Sequence, residues 1–231
     1  MDLKKLRKIN LEETKKKIKE SVKEDDIIIQ ITNSLDELDK IINSVSMRFR
    51  DFLKLKNPEA EATIHDSKKL AELFLKDELS KTIMGKNLDS NSLKEIAKML
   101  ISLSNTKKTL QKELEDILEV YAPNLKDLAG VQITSKLLRE ARSLKRLSMM
   151  PSSTIQLLGA EDALFRHLRT GARSPKYGFL LSHQVVQNAK NKGKMARALA
   201  SKLTIAARLD YHKGERMAIK YLSELENARN K

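Results

Sequence analysis

Two apolar seams dominate the first half of the chain. Ile28, Ile31, Leu35, Leu38, Ile42, Val45, Phe49 and Phe52 recur at alternating spacings of three and four. That is the pattern of a helix burying one narrow stripe. Leu93, Ile96, Leu100, Leu103, Lys107, Leu110, Leu114, Ile117 and Tyr121 repeat it, broken only at Lys107. Each seam predicts a helix of about 30 residues, roughly 45 Å long. The second opens on a capping box, Ser92 as N-cap with Glu95 three residues on. The two helices pair most simply as an antiparallel coiled coil; part of each seam also suits a bundle core. Pro58 stops the first helix. "DSKKLAELFLKDELSKTI" predicts a shorter helix with Leu70, Leu73, Phe74 and Ile83 inward, and "MGKNLDS" a turn before the second arm.

Beyond Pro123 the rhythm shortens, and six of the seven glycines lie there. "APNLKDLAG" predicts a short helix ended by Gly130. "VQITSKLLREARSLKRLS" predicts another, with Leu137, Leu138, Leu144 and Leu147 apolar, broken by Pro151. A loop then leads to a helix from about Ala160 to Thr170, with Leu164, Phe165 and Leu168 expected to face inward. "YGFLLSH" suits a short extended piece. "NKGKMARALASKLTIAARLD" predicts a helix burying Met195, Leu199, Leu203 and Ile205, and "GERMAIKYLSELENARNK" a last one. The fold expected is all-α: a long antiparallel helical hairpin over 1–121, with a lead helix before it, and a compact helical domain over 122–231.

Charge divides the chain more sharply than hydropathy does. Residues 1–120 carry 24 Lys and Arg against 23 Asp and Glu, and residues 121–231 carry 21 against 8, so the second half holds nearly all of the net +14. Ala163 to Leu209, 47 residues, contain no acid and ten cations. Ordinary helices interleave Glu with Lys, because pairs one turn apart stabilise them. A face of one sign repels itself unless a polyanion covers it, and nucleic acid is the first such partner. Lys190, Lys194, Arg197 and Ser201 fall on one helical stripe, and Arg166, Arg169 and Arg173 on a second. Stripes of this kind meet phosphates, which fix register without reading sequence.

Other chemistries find little support. There is no cysteine, and His65, His167, His183 and His212 lack the spacing of a zinc site. No phosphate-cradling glycine loop or nucleophile elbow occurs. Glu161 and Asp162 adjoin in a first helical turn, which suits capping better than acid–base catalysis. A nuclease or RNA modifier would have to rest on that pair. No apolar run approaches the length of a membrane span.

Three runs carry a family resemblance: "PSSTIQ", "GAEDALFRHLRTG" and "GKMARALASKLTIAARLD". They resemble the Nop domain of the box C/D ribonucleoprotein core proteins and of a related spliceosomal protein, and the likeness extends back over the paired seams, covering about residues 25 to 220. The resemblance implies an all-helical, non-enzymatic scaffold without a cofactor, in the cytoplasm of an archaeon or the nucleus and nucleolus of a eukaryote. Its partners would be a kink-turn RNA and a small ribosomal-protein-like kink-turn binder. A second copy would pair through the coil, and fibrillarin would join only where the family's N-terminal docking domain is present; some 25 highly charged residues stand before the first coil here. By the same resemblance, Gly159, Ala160, Glu161 and Leu164 would face the partner protein. Arg166, Arg169, Arg173, Lys176, Tyr177, Lys190, Lys192, Lys194, Arg197 and Lys202 would face RNA. Asp162 departs from the pattern, standing where the family usually has a basic residue. The alternative is a generic basic nucleic-acid binder dimerised by its coils.

Overall fold

The computed structural model describes residues 3–21, 23–79, 85 and 91–229. Every element among them is helical: α1 (Leu3–Ser21), α2 (Glu24–Lys56), α3 (Pro58–Thr63), α4 (Ser67–Leu75), α5 (Asn91–Tyr121), α6 (Pro123–Ala141), α7 (Leu144–Met149), α8 (Ser152–Leu157), α9 (Glu161–Thr170), a 3₁₀ turn (Phe179–Ser182), α10 (Gln184–Gln187), α11 (Lys192–Tyr211) and α12 (Ala218–Arg229). Two compact units result, Asn33–Glu113 and Met1–Thr32 with Leu114–Lys231, so the boundary falls inside the long helices α2 and α5.

In the unit of 33–113, Phe49 and Leu53 of α2 pack with Leu93, Ala97 and Leu100 of α5, while Asp39 of α2 pairs with Lys107 of α5. Numbers rise along one helix as they fall along the other, so the two run antiparallel. Lys107, the one polar member of its seam, is thus answered by an acid from the facing helix. Midway along α2, Leu35, Leu38, Ile42 and Val45 stay half-buried. Toward the end of α2 the core closes fully: Leu70, Ala71 and Phe74 of α4 join it, and Phe74 meets the Phe49 ring edge-on at 6.0 Å. Asn57 caps α3 by accepting from Ala60 N at 3.0 Å, with Pro58 at the first helical position. Arg50 ties the turns together, donating to Ser67 Oγ, to Glu61 Oε1 and to the carbonyls of Glu61, Ile64 and His65. Ser92 proves to be a residue of α5 rather than its cap, since that helix already includes Asn91. Ile83 and most of the expected turn lie outside the described residues.

The other unit is built on α11, which packs against α6, α7, α8, α10 and α12. Met195, Leu199 and Leu203 are buried there, and Ala196, Ala200, Ala206 and Ala207 are fully enclosed small residues that let the neighbouring helices come close. Ile205 is 39% exposed instead of buried: it lies between the buried Thr204 and Ala206, so it falls just outside the inward arc. Gly130 kinks α6, at φ 78° and ψ 164°. The second expected helix is two, α6 ending and α7 beginning around Arg142, whose φ is 67°. Ser143 caps α7 by accepting from Arg146 N, and the Leu144 amide donates to Asp25 Oδ1 at 3.0 Å. Asp210, at the end of α11, accepts from the amides of Asn124 and Leu125 and from Asn124 Nδ2, while Asn124 Oδ1 accepts from Met217 N at 2.7 Å. One carboxylate thereby serves the first turn of α6, whose orphan amides need partners. Phe179–Ser182 forms a 3₁₀ turn, not the extended piece expected of it.

Candidate nucleic-acid and protein interface

The chain leaves the core after α8 and returns at the 3₁₀ turn, and everything between is an excursion. Its base is sewn by main-chain bonds: Gly178 N–H donates to Gln156 O at 3.0 Å and Phe179 N–H to Leu158 O at 2.8 Å. Gln156 Nε2 adds a bond to Lys176 O at 2.5 Å. The two chain segments of this base lie so close that a Cβ on Gly178 would sit 1.8 Å from Leu158 O. Gly159 turns the chain outward at φ 84°, and a Cβ there would meet the Phe179 ring at 2.5 Å. Only glycine fits both the backbone angle and the space.

From that base α9 stands on local caps alone. Glu161 Oε1 accepts from Gly159 N at 2.8 Å at its start. At its end Gly171 takes the left-handed conformation, φ 69°, and His167 Nδ1 donates to Ala172 O. No residue of α9 is buried. The inward orientation expected of its apolar face is therefore corrected: Leu164 is half-buried, but Phe165 is 61% and Leu168 71% exposed. The reason is that Gly159, at φ 84°, turns the chain outward before α9 begins, and Phe179 N–H closes onto Leu158 O behind it.

Ala160 is the N-cap of α9, half-buried, and Glu161 is exposed beside it. Arg166 and Arg169 project from α9, with Arg173 exposed just beyond its end. Tyr177 is half-buried in the returning segment. The Lys176 side chain crosses the first turn of α11, its Cδ 3.4 Å from where a Gly193 side chain would begin. That contact brings Lys176 beside Lys192 and Lys194, all three exposed. Asn191 caps α11 by accepting from Lys194 N at 3.1 Å. Lys190 thus lies before the helix rather than on its stripe, while Arg197 and Ser201 continue the exposed face. Among the described residues, no carboxylate is ion-paired with Arg166, Arg169, Arg173, Lys176, Lys190, Lys192, Lys194 or Arg197.

Lys202 differs from the rest. Glu224 of α12 pairs with it, and its Nζ lies 4.8 Å from the centre of the Tyr221 ring. Two further residues belong to this region. Gln156 and Phe179 hold the base of α9, and the ring of Phe179 has Lys136 Nζ 6.0 Å above it. Gln156 ends the "PSSTIQ" run, but its role, like that of Phe179, was not legible in the sequence because each acts through a neighbour about twenty residues away. Among the described residues no cluster of His, Asp or Glu is placed to hold a metal ion, and no helix is long and apolar enough to cross a membrane.

Comparison with known proteins gives a consistent result. The Nop family model, described as a snoRNA binding domain and fibrillarin, matches residues 75–231. A NOP5 family protein of Methanocaldococcus jannaschii is 37% identical over 238 residues, covering 90% of this chain and 58% of that protein. Nucleolar protein 56 of Schizosaccharomyces pombe is 35% identical over 220 residues, covering 80% of this chain and 44% of its own length. The chain thus spans about half the length of these curated relatives. A crystal structure of a fibrillarin/Nop5p complex superposes at a TM-score of 0.63 and 25% identity, over 98% of this chain and 77% of that one. With the match extending over the coils' second arm, the α9 excursion and all of α11, the chain belongs to the Nop family.

Proposed function

We propose that this protein is a non-enzymatic scaffold of a box C/D-type ribonucleoprotein. In this reading α9 and the lysine cluster at the start of α11 receive a kink-turn RNA already held by a small ribosomal-protein-like partner. The observation that carries it is the double exposure of α9. Phe165 and Leu168 find little cover in the fold, and among the described residues no carboxylate is ion-paired with Arg166 or Arg169. A protein partner covers the first set and RNA phosphates the second. A sharp RNA bend concentrates phosphates, so one compact basic face can touch several at once, while lysines alone do not discriminate RNA shapes. The hairpin of α2 and α5 pairs two copies, the part beyond Tyr121 carries the RNA, and fibrillarin joins through a docking domain to methylate ribose 2′-oxygens of rRNA. The setting is the cytoplasm of an archaeon or, in a eukaryote, the nucleolus.

A gel shift on kink-turn RNA, with and without the small kink-turn protein, tests this. Strong synergy is expected, together with loss of the ternary complex in Ala160→Trp. Equal affinity for duplex DNA would favour a generic binder instead. Metal-dependent cleavage lost on changing Glu161 and Asp162 would favour a nuclease. If four to six phosphates are met, log K against log salt should slope about −3 to −5, and a flat plot would remove the charge argument.

A further inference from the structure

The two ends of α11 face surfaces of opposite character. The first turn carries the lysines already described. The last turn, with Asp210 and Tyr211, closes a groove of about 950 Å³ whose other walls come from the start of α2, the end of α5 and Leu144 of α7. At 1.5 Å per residue, the helix puts about 30 Å between the two.

The groove is apolar where it is open. Val120 is 86% and Tyr211 37% exposed, and Ile117 is half-buried beside them. Its rim carries acids: Glu24 and Asp116 are both exposed, and among the described residues Lys213 is the one cation in the lining. Burial pushes the Tyr121 hydroxyl far above the ordinary phenol range, and so do its hydrogen bond to Asp25 and the charges of Glu24 and Asp26. Two exposed carboxylates against one lysine thus frame the opening, in a protein of net charge +14. An uncovered apolar floor with a carboxylate rim is complementary to a cationic chain carrying apolar side chains.

We infer that this groove docks a basic amphipathic segment of a partner protein. An apolar side chain enters against Ile117, Val120 and Tyr211 while neighbouring lysines or arginines meet Glu24 and Asp116. The site lies about 30 Å from the lysine cluster, so it is filled independently of RNA, and the inference stands whether or not the RNA is a kink-turn.

The test uses the whole chain and a fluorescein-labelled peptide of leucine and lysine at helical periodicity, beside a twin with glutamate for lysine. The Leu/Lys peptide should bind with a Kd of roughly tens of micromolar. Asp116→Lys and Val120→Ser, both at exposed positions, should each weaken it roughly fivefold or more with melting unchanged. The glutamate twin, which the lysine face can attract, should respond to neither substitution. No binding at millimolar peptide, or equal binding to wild type and both variants, would each overturn the inference.

Discussion

Two amphipathic helices that make up much of the acid-free stretch have opposite fates. α11 is twenty residues long and buries nine of them; α9 is ten residues long and buries none. Both carry leucines on one side and arginines or lysines on the other. The difference lies in what sits beneath them. α11 is packed by five other helices, whereas the chain turns outward at Gly159 before α9 begins and closes behind it where Phe179 bonds Leu158. An apolar stripe therefore says that a helix needs a cover, not that its own chain supplies one. Where it does not, the stripe is a candidate contact for another molecule.

Paired truncations offer the hardest test of this contrast. Leu203→Ala removes a fully buried side chain of α11 and should cost about 2–5 kcal/mol by chemical denaturation. Leu168→Ala on α9 should change stability by no more than about 0.5 kcal/mol, yet weaken assembly with RNA and the kink-turn protein. A large loss of stability from Leu168→Ala would mean that α9 is part of the core after all.

Next in size comes Gly178→Ala. A methyl group cannot coexist with Leu158 O at 1.8 Å, so the base of α9 must spread, at about 1–3 kcal/mol. Hydrogen exchange should rise at Phe179 and at residues 159–171 while the amides of α11 stay protected. Uniform loss of protection would show that excursion and core unfold as one.

The effect of pH should be smaller and should fall on the core side of the comparison. His183 donates from Nε2 to Leu128 O and accepts from Val185 N at Nδ1, so the fold requires its neutral form. Burial lowers its pKa below the usual 6.5. The unfolded chain takes up this proton first, so the contribution is complete above 6.5 and is lost as pH falls toward the lowered value. Thermal melts from pH 7.5 down to about 5.5 should fall more for wild type than for His183→Gln. Parallel curves would show that His183 keeps its ordinary affinity for the proton.

Smallest of all should be Glu224→Gln. It frees Lys202, the one predicted RNA-facing lysine that α12 has already paired, and should tighten RNA binding roughly twofold at low salt. Weaker binding would place Glu224 itself among the contacts.

These contrasts also mark what the residues alone could convey. The seams of α2 and α5, the end of the short helix at Gly130 and the buried leucines of α11 were legible because each depends on spacing within its own segment. The break at Arg142 was not, because the acid that meets the Leu144 amide is Asp25, 119 positions earlier. Nor was the exposure of Phe165 and Leu168, which follows from the closure of Phe179 onto Leu158 behind the excursion. Of the basic residues, most keep the open surface that an acid-free stretch suggests. Lys202 is the exception because its partner lies 22 positions further along, outside that stretch.

The sewn base of α9 has an evolutionary consequence. The bonds from Gly178 and Phe179 to Gln156 and Leu158 are made by the backbone, and they close the excursion whatever side chains it holds. Lengthening a closed surface loop is inexpensive, about 0.6 kcal/mol for each doubling, and α9 contributes no buried residue to the scaffold. Residues 160–175 therefore behave as an interchangeable cassette, able to drift toward a new RNA bend or a new partner, or to be transplanted between relatives, while the framework that displays them is inherited unchanged.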